Sequence, residues 1–217
     1  MQIHNLTETN SVLNHFLGQI RNVNVHNDSM RFRRNIERIG EIMSYELSKQ
    51  LHYREVEIQT PLGVKKTTEI SDKLVVCSLL RAGLPLHMGF LNYFDQAENG
   101  FISAYRHHPN NDDYFDIIVE YQAIADFNDK CLLLVDPMLA TGQSIVAVFN
   151  KLMEKGNPKE IHIMVVIAAP EGIAHLESKL PAHCHLWVAS IDEKLDEHSF
   201  IVPGLGDAGD LAYGTKL

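Results

Sequence analysis

One segment of the chain joins an apolar run, residues 132–135, to an acid, Asp136, then to a loop of small and hydroxyl residues and a predicted helix. A continuous apolar run is typical of a strand buried on both faces, so this junction predicts a parallel sheet covered by helices. The loop directs backbone N–H groups, the hydroxyls of Thr141 and Ser144 and the positive end of a helix dipole at one point, which suits a phosphate. Asp136 would repel a phosphate oxygen and better suits a sugar hydroxyl or a magnesium-bound water. The segment therefore predicts a site for a phosphorylated sugar.

Length and composition limit the class of protein. The chain has 217 residues, 45% hydrophobic and 22% charged, which predicts one globular domain over residues 1–217. A net charge of −9 argues against a nucleic-acid partner, because phosphate neutralisation requires clustered Lys and Arg. No apolar run approaches the ~20 residues that span a membrane, and the first residues do not resemble a secretory signal. Cys77, Cys131 and Cys184 are widely spaced in or beside apolar runs, which favours buried thiols and a cytoplasmic location.

The rest of the chain alternates predicted strands and helices. This order implies right-handed crossovers and a mainly parallel α/β sheet, in which ligands bind at the carboxyl ends of strands. Alternating residues on both sides of Pro61, Leu62 and Gly63 predict a β-hairpin arm over about residues 52–70. Strands are expected at residues 74–80, 101–104, 117–121 (an edge), 131–135, 161–169 and 186–190, and helices at about 12–20, 28–51, 84–94, 144–155 and 172–180.

Two arginines follow predicted strands of this sheet. Arg81 comes directly after residues 74–80, and Arg106 follows residues 101–104. Guanidinium groups at strand ends can make bidentate contacts with a diphosphate, whereas a lysine offers only a point charge. The alternative is that each arginine pairs with a surface carboxylate. Convergence of both beside the phosphate loop favours the diphosphate.

The C-terminal segment, residues 201–210, is rich in glycine. A solvated, frayed tail is one interpretation. The apolar residues Phe200, Ile201, Val202 and Leu205 argue against it, since they suit a packed segment. A rigid loop whose backbone N–H and C=O groups contact a small planar ligand, such as a pyrimidine edge, fits better.

Twelve histidines raise the question of a metal site. His107 and His108 are adjacent, and His183 and His185 share one face of a predicted strand. No second pair at ligand spacing accompanies them, so surface or capping histidines are expected and no metal ligand is assigned to the protein. The sequence also has no P-loop, no G-x-G-x-x-G and no nucleophile elbow.

Five segments together resemble the uracil phosphoribosyltransferase family, and their order and spacing extend over nearly the whole chain, including Arg31, Phe32 and Arg33 in the long helix. The loop after Val135 and the glycine-rich tail are each specific to that family. The segments are Leu80-Arg81-Ala82-Gly83, Tyr105-Arg106, Val135-Asp136-Pro137-Met138-Leu139-Ala140-Thr141-Gly142, Ala168-Ala169-Pro170-Glu171-Gly172 and Pro203-Gly204-Leu205-Gly206-Asp207-Ala208-Gly209-Asp210.

The resemblance implies the type I phosphoribosyltransferase fold, with a small C-terminal hood over about residues 192–217 together with the N-terminal helices. It implies a pentosyltransferase of pyrimidine salvage that converts uracil and 5-phospho-α-D-ribose 1-diphosphate (PRPP) to UMP and diphosphate. Mg²⁺ would be bound mainly through the diphosphate and ribose hydroxyls of PRPP. The implied catalytic residues are Arg106, Asp136 and Asp207; the implied PRPP-binding residues are Arg81, Arg106, Asp136, Pro137, Met138, Leu139, Ala140, Thr141, Gly142, Gln143, Ser144 and Asp207; the implied uracil-binding residues are Ile201, Gly206, Asp207 and Ala208.

Gln143 departs from the family pattern, in which a second glycine commonly follows Thr-Gly. Its Cβ limits the allowed dihedral angles, so a nucleotide-binding protein without turnover is one alternative function. A nucleotide-sensing RNA-binding regulator on the same fold is another, against which the acidic charge balance argues. The hairpin arm predicts at least a homodimer, because its apolar alternation suits a second subunit.

Overall fold

A computed structural model describes the backbone of residues 1–107 and 116–216 and the side chains of residues 1–104 and 117–216. The described strands are β1 (Gln2–Asn5), β2 (Tyr53–Thr60), β3 (Gly63–Ile70), β4 (Leu74–Leu80), β5 (Glu98–His107), β6 (Asp116–Ile124), β7 (Cys131–Val135), β8 (Met138–Leu139), β9 (Glu160–Ala168), β10 (His185–Ile191), β11 (Lys194–Leu195) and β12 (Ile201–Val202). The central sheet has the order β1-β10-β9-β7-β4-β5-β6, with β8 pairing to β9. All its pairs are parallel except β5 with β6, which confirms the predicted, mainly parallel sheet and the edge position of β6; the antiparallel direction of β6 was not predicted.

Helices cover both faces of this sheet. The helices of the described residues are α1 (Val12–Arg21), α2 (Ser29–Ser48), α3 (Gly83–Leu91), α4 (Gln143–Met153), α5 (Pro170–Lys179) and α6 (Ala208–Tyr213), and a single 3₁₀ turn spans Leu6–Glu8. Ser11 caps α1 and Asp28 caps α2 through side-chain oxygens that accept backbone N–H groups. The predicted helices are confirmed, although α2, α3 and α4 each end two or three residues earlier than expected.

Buried side chains form one core on each face of the sheet. Val76 of β4 packs with residues of α1, α2, α3 and α6, whereas its neighbours Val75 and Cys77 pack with residues of α4 and α5. Successive strand residues point to opposite faces, so a strand covered on both sides must be apolar at every position. The continuous apolar runs of β4, β7 and β9 follow from this requirement.

The predicted hairpin arm is present as β2 and β3, joined by a loop of Pro61 and Leu62. Nearly every residue of the two strands is exposed, and within the described part of the chain they pair only with each other. Leu62 at the tip is fully exposed, and Val64 beside it is exposed as well. An isolated two-stranded hairpin is marginally stable in water, so further contacts would stabilise this arm.

A buried ion pair ties the C-terminal segment to α1. The Arg21 guanidinium donates to Asp192 Oδ2 at 2.7 Å and to the carbonyl of Gly204 at 2.9 Å. Asp192 Oδ2 also accepts the N–H of Gly204 at 2.9 Å. These contacts place the segment that follows β10 against the N-terminal helices.

Two elements depart from the sequence prediction. Strand β1 was not expected, and it pairs in parallel with β10 at the end of the sheet. The expected rigid loop at residues 201–210 is instead a short strand, β12, followed by a turn and the helix α6. Leu205, Ala208 and Ala212 are buried there, so the interpretation of this segment as a frayed tail is wrong.

Candidate active site

The loop between β7 and α4 leaves the first turn of α4 open. Gly142 is the N-cap residue, has φ +78°, and offers no side chain to satisfy the N–H groups of that turn. In residues 1–107 and 116–216, no backbone or side-chain oxygen accepts from the N–H groups of residues 141–145. A helix N-terminus with free N–H groups suits an anion, so the geometry of this turn is compatible with the predicted phosphate contact.

Carbonyl groups of the same loop accept hydrogen bonds from β9 and from the residue that follows it. The N–H groups of Val166 and Ile167 both donate to the carbonyl of Pro137 at 3.0 Å, and that of Ala169 donates to Leu139 at 2.9 Å. On the other side, a Cβ at Gly172 would lie 2.2 Å from the carbonyl oxygen of Ala140, so only glycine lets α5 approach this closely. The carbonyl side of the loop is therefore fixed by β9 and by the close approach of α5.

Gln143 is compatible with this arrangement. It is the first residue of α4 and is helical, and φ is positive only at Asp129 and Ser199 among the described non-glycine residues. A helical backbone accepts any L-residue at this position, so the second glycine of the family pattern is not needed for the fold of the loop. The side chain of Gln143 is exposed.

Asp136 lies at the carboxyl end of β7 and carries an unusual pKa. Burial raises the pKa of its carboxyl to about 7, against the opposing effect of the Met138 N–H, which donates to Oδ1 at 3.3 Å. The carboxyl therefore takes up a proton at a higher pH than an ordinary aspartate does. A ligand hydroxyl that donates to the carboxylate would favour the charged form.

Arg81 follows β4 and is fixed by the C-terminal segment. Its Nη2 donates to Asp210 Oδ1 at 3.2 Å and to the carbonyl of Gly214 at 3.3 Å. Its Nε is buried and has no hydrogen-bond partner among the described residues. A buried donor without a partner costs free energy, which a ligand oxygen at this place would recover.

One cavity of about 260 Å³ brings the predicted residues together at the carboxyl ends of β4 and β7. Arg81, Asp136, Met138 and Ser144 line it from the sheet side, and Asp207 and Ala208 line it from the start of α6. The remaining lining residues are Leu79, Leu80, Ala82, Ala104, Gly209 and Lys216. A larger, mostly apolar cavity of about 600 Å³ between α2, α3 and β5 has no carboxylate at a strand end among its lining residues.

Not every predicted residue can be placed in that cavity. Pro137, Leu139, Ala140, Thr141, Gly142 and Gln143 lie in the adjoining loop and at the start of α4. The backbone of Arg106 is in β5 opposite Ile117, but its side chain lies outside the described residues. His108 and the segment after it also lie outside them.

The predicted uracil-binding residues divide between three places. Asp207 caps α6, its Oδ1 accepting the N–H of Asp210 at 2.8 Å, and Ala208 lies beside it in the cavity wall. Gly206 has φ +94° and lines a neighbouring cavity of about 320 Å³ on the other side of Asp207. Ile201 is only 5% exposed and belongs to the core, so any contact it makes with a ligand would be through its backbone.

Lys216 and Gly209 line the cavity, although no sequence pattern assigned them to it. Gly209 is part of the quoted tail motif, but Lys216 lies beyond it and follows no local pattern. Lys216 reaches the cavity because the chain turns back after α6.

A cluster of possible metal ligands lies at the opposite edge of the sheet, where its parallel strands begin. Cys131, Glu160 and His162 are the one group in the described residues with metal-ligand spacing, and His183 and His185 are not part of it. The Trp187 indole N–H donates to His162 Nδ1 at 3.2 Å, which places the proton of a neutral His162 on Nε2. Nε2 then has no lone pair for a metal, so the cluster is better understood as buried packing.

Comparisons with known proteins agree with this geometry. The family model described as uracil phosphoribosyltransferase matches residues 7–215. A uracil phosphoribosyltransferase of Porphyromonas gingivalis is 49% identical over 217 residues, covering 100% of both chains. The structure of the AQ2163 protein from Aquifex aeolicus aligns over 100% of both chains with a TM-score of 0.87 and 26% identity. A purine phosphoribosyltransferase from Pyrococcus horikoshii aligns over 74% of this chain and 84% of its own, with a TM-score of 0.51 and 15% identity, which supports a shared fold alone.

No helix in the described residues is both long and apolar enough to cross a bilayer.

Proposed function

The chain belongs to the uracil phosphoribosyltransferase family, and on that basis we propose how its residues carry out the family's reaction. It has the type I phosphoribosyltransferase fold and is a pentosyltransferase of pyrimidine salvage. It transfers the phosphoribosyl group of PRPP to N1 of uracil, giving UMP and diphosphate. The observation that carries the residue assignments is that Arg81, Asp136 and Ser144, a residue of the first turn of α4, line one cavity.

Each part of PRPP is assigned to a group that suits its chemistry. The 5′-phosphate accepts from the free N–H groups of residues 141–145 and from the hydroxyl of Ser144, with the α4 dipole adding attraction. The ribose hydroxyls donate to Asp136. The diphosphate lies beside Arg81, whose unpartnered Nε supports this assignment, and beside Arg106.

The reaction is a displacement at C1 of the ribose in which the diphosphate leaves before the bond to uracil N1 is complete. The guanidinium groups of Arg81 and Arg106 stabilise the negative charge that develops on the leaving group. The cavity walls hold C1 and N1 in line, which removes much of the entropic cost of the encounter. Asp207 accepts the N1 proton. Uracil is recognised largely by main-chain groups of Ile201, Gly206, Asp207 and Ala208.

Members of the family generally use Mg²⁺ together with PRPP. The cavity wall offers the carboxylates of Asp136 and Asp207, too few ligands to enclose an ion. This set fits Mg²⁺, an ion that keeps several waters and takes substrate oxygens as ligands. We therefore propose that Mg²⁺ is held mainly by the diphosphate and ribose hydroxyls, with Asp136 orienting those hydroxyls. When bound, the ion neutralises charge on the departing diphosphate.

The architecture supports three further proposals. The chain forms one domain, in which residues 192–217 and the N-terminal helices make the hood over the cavity; the contacts of Arg21 with Asp192 and Gly204 support this. The exposed arm of β2 and β3 joins subunits into a homodimer or a larger homo-oligomer. The protein acts in the cytoplasm, which its free, buried cysteines support.

The direct test is formation of UMP from uracil and PRPP with Mg²⁺, followed by separation of the nucleotide product. The residue assignments predict UMP formation by the wild type, and for Ser144→Ala a raised KM for PRPP with an unchanged KM for uracil. Glu177→Gln, on the exposed side of α5, is the matched control and should behave as the wild type. An equal change in both KM values for Ser144→Ala would remove the phosphate assignment.

A further inference from the structure

Lys216 reaches the active-site cavity from the end of the chain. Helix α6 ends at Tyr213, and its C-cap residue, Gly214, has φ +86°, which allows the chain to turn back. The carbonyl of Gly214 accepts from Arg81 Nη2 at 3.3 Å, so the backbone is fixed beside the Arg81 guanidinium two residues before Lys216. Lys216 then lines the same cavity as Arg81, Asp136 and Asp207.

The charges around this cavity are unequally compensated. Arg81 Nη2 forms an ion pair with Asp210 Oδ1 at 3.2 Å, so part of its positive charge is already neutralised in the free protein. Lys216 forms no ion pair with any described residue. Asp136 and Asp207 add negative charge to the cavity wall. A highly charged anion would therefore need a cation besides Arg81, and the side chain of Lys216 supplies one.

We propose that Lys216 binds the diphosphate group of PRPP and is a further binding residue for the transfer reaction. The inference rests on the proposed PRPP site. The diphosphate is preferred to the 5′-phosphate because Gly214, two residues before Lys216, is fixed by Arg81, whereas the 5′-phosphate already has the free N–H groups of residues 141–145. A flexible ammonium group suits a leaving group whose charge grows during the reaction, because its three donors can follow the moving oxygens.

Isothermal titration calorimetry with two simple ligands distinguishes the diphosphate contacts from the 5′-phosphate and uracil contacts. Inorganic diphosphate with Mg²⁺ probes the proposed contact, and UMP probes the 5′-phosphate and uracil contacts. For Lys216→Ala we expect about tenfold weaker diphosphate binding, typical of one lost charge-assisted hydrogen bond, and UMP binding within twofold of the wild type. Lys216→Arg should restore most of the diphosphate affinity. Lys155→Ala, an exposed lysine beyond the C-terminal end of α4, is the control and should bind both ligands as the wild type does.

Kinetic constants give an independent readout. In Lys216→Ala, the KM for PRPP should rise while the KM for uracil stays constant, and the difference from the wild type should shrink at high salt. Unchanged diphosphate binding in Lys216→Ala, or weaker UMP binding with diphosphate binding intact, would overturn the inference while leaving the proposed function in place. A wild type that forms no UMP would overturn the proposed function itself.

Discussion

Replacing Asp136 by Asn should stabilise the free protein at alkaline pH and not at acidic pH. Burial raises the pKa of this carboxyl from its ordinary value of 3.8 to about 7. Between these two pH values the unfolded chain loses the proton and the folded chain keeps it. Stability therefore falls as the pH rises through this interval, is fully present below 3.8, and levels off above about 7. Asn removes this dependence, and its Oδ1 can still accept the Met138 N–H.

The size of the effect follows from the shift. Each pKa unit corresponds to about 1.4 kcal/mol, so the full interval is worth at most about 4 kcal/mol. Solvent entry and side-chain rearrangement reduce this value, and about 2–3 kcal/mol is the expectation between pH ~5 and ~8. That difference is a large fraction of the stability of a typical domain.

Urea denaturation at several pH values measures the effect. The free energy of unfolding of Asp136→Asn, relative to the wild type, should rise steadily from pH ~5 to ~7 and then become constant. Glu177→Gln, on the exposed face of α5, is the control and should follow the wild type throughout. If the difference between Asp136→Asn and the wild type does not change with pH, Asp136 ionises normally in the fold and burial does not raise its pKa.

Three further substitutions test separate parts of the site. Arg106→Ala should raise the KM for PRPP and lower kcat together in steady-state assays, and an unchanged KM would contradict its assignment to the diphosphate. Gly142→Ala should lower the free energy of unfolding by about 1–2 kcal/mol, because φ is +78° and the new Cβ would lie 3.1 Å from the Gly172 carbonyl oxygen; equal stability in urea would show that the loop relaxes. Asp207→Asn keeps a good helix cap, so stability should stay constant while kcat falls more than tenfold, or about 1.4 kcal/mol. A smaller loss would make Asp207 a positioning residue.

The strand, loop and helix that we assign to phosphate binding could be predicted as structural elements because their signal is local. A buried strand, Asp136, the loop and the start of α4 are consecutive in sequence, and each has its own pattern of residue types. The placement of Arg81 followed from a general rule, since the carboxyl ends of parallel strands meet at one edge of the sheet.

Elements that depend on distant contacts could not be predicted in this way. Strand β1 has only four residues, and it is stabilised by pairing with β10 and by His4, whose ring stacks on Trp187 with centroids 3.9 Å apart. Helix α6 lies in a glycine-rich segment that favours a loop, and it forms because Asp207 caps it and Ala208 and Ala212 enter the core. Lys216 is brought to the cavity by the turn at Gly214, which no neighbouring pattern indicates.

We expect PRPP to bind in one cavity, between the first turn of α4 and Arg81. A titration followed by ¹⁵N–¹H NMR measures this binding residue by residue. Addition of PRPP with Mg²⁺, without uracil, should shift the backbone N–H signals of residues 141–145 and the Nε–H signal of Arg81 in a single saturable step. Signals of Cys131 and His162, at the opposite edge of the sheet, should stay unchanged. Saturable shifts at that edge with none at residues 141–145 would contradict the account.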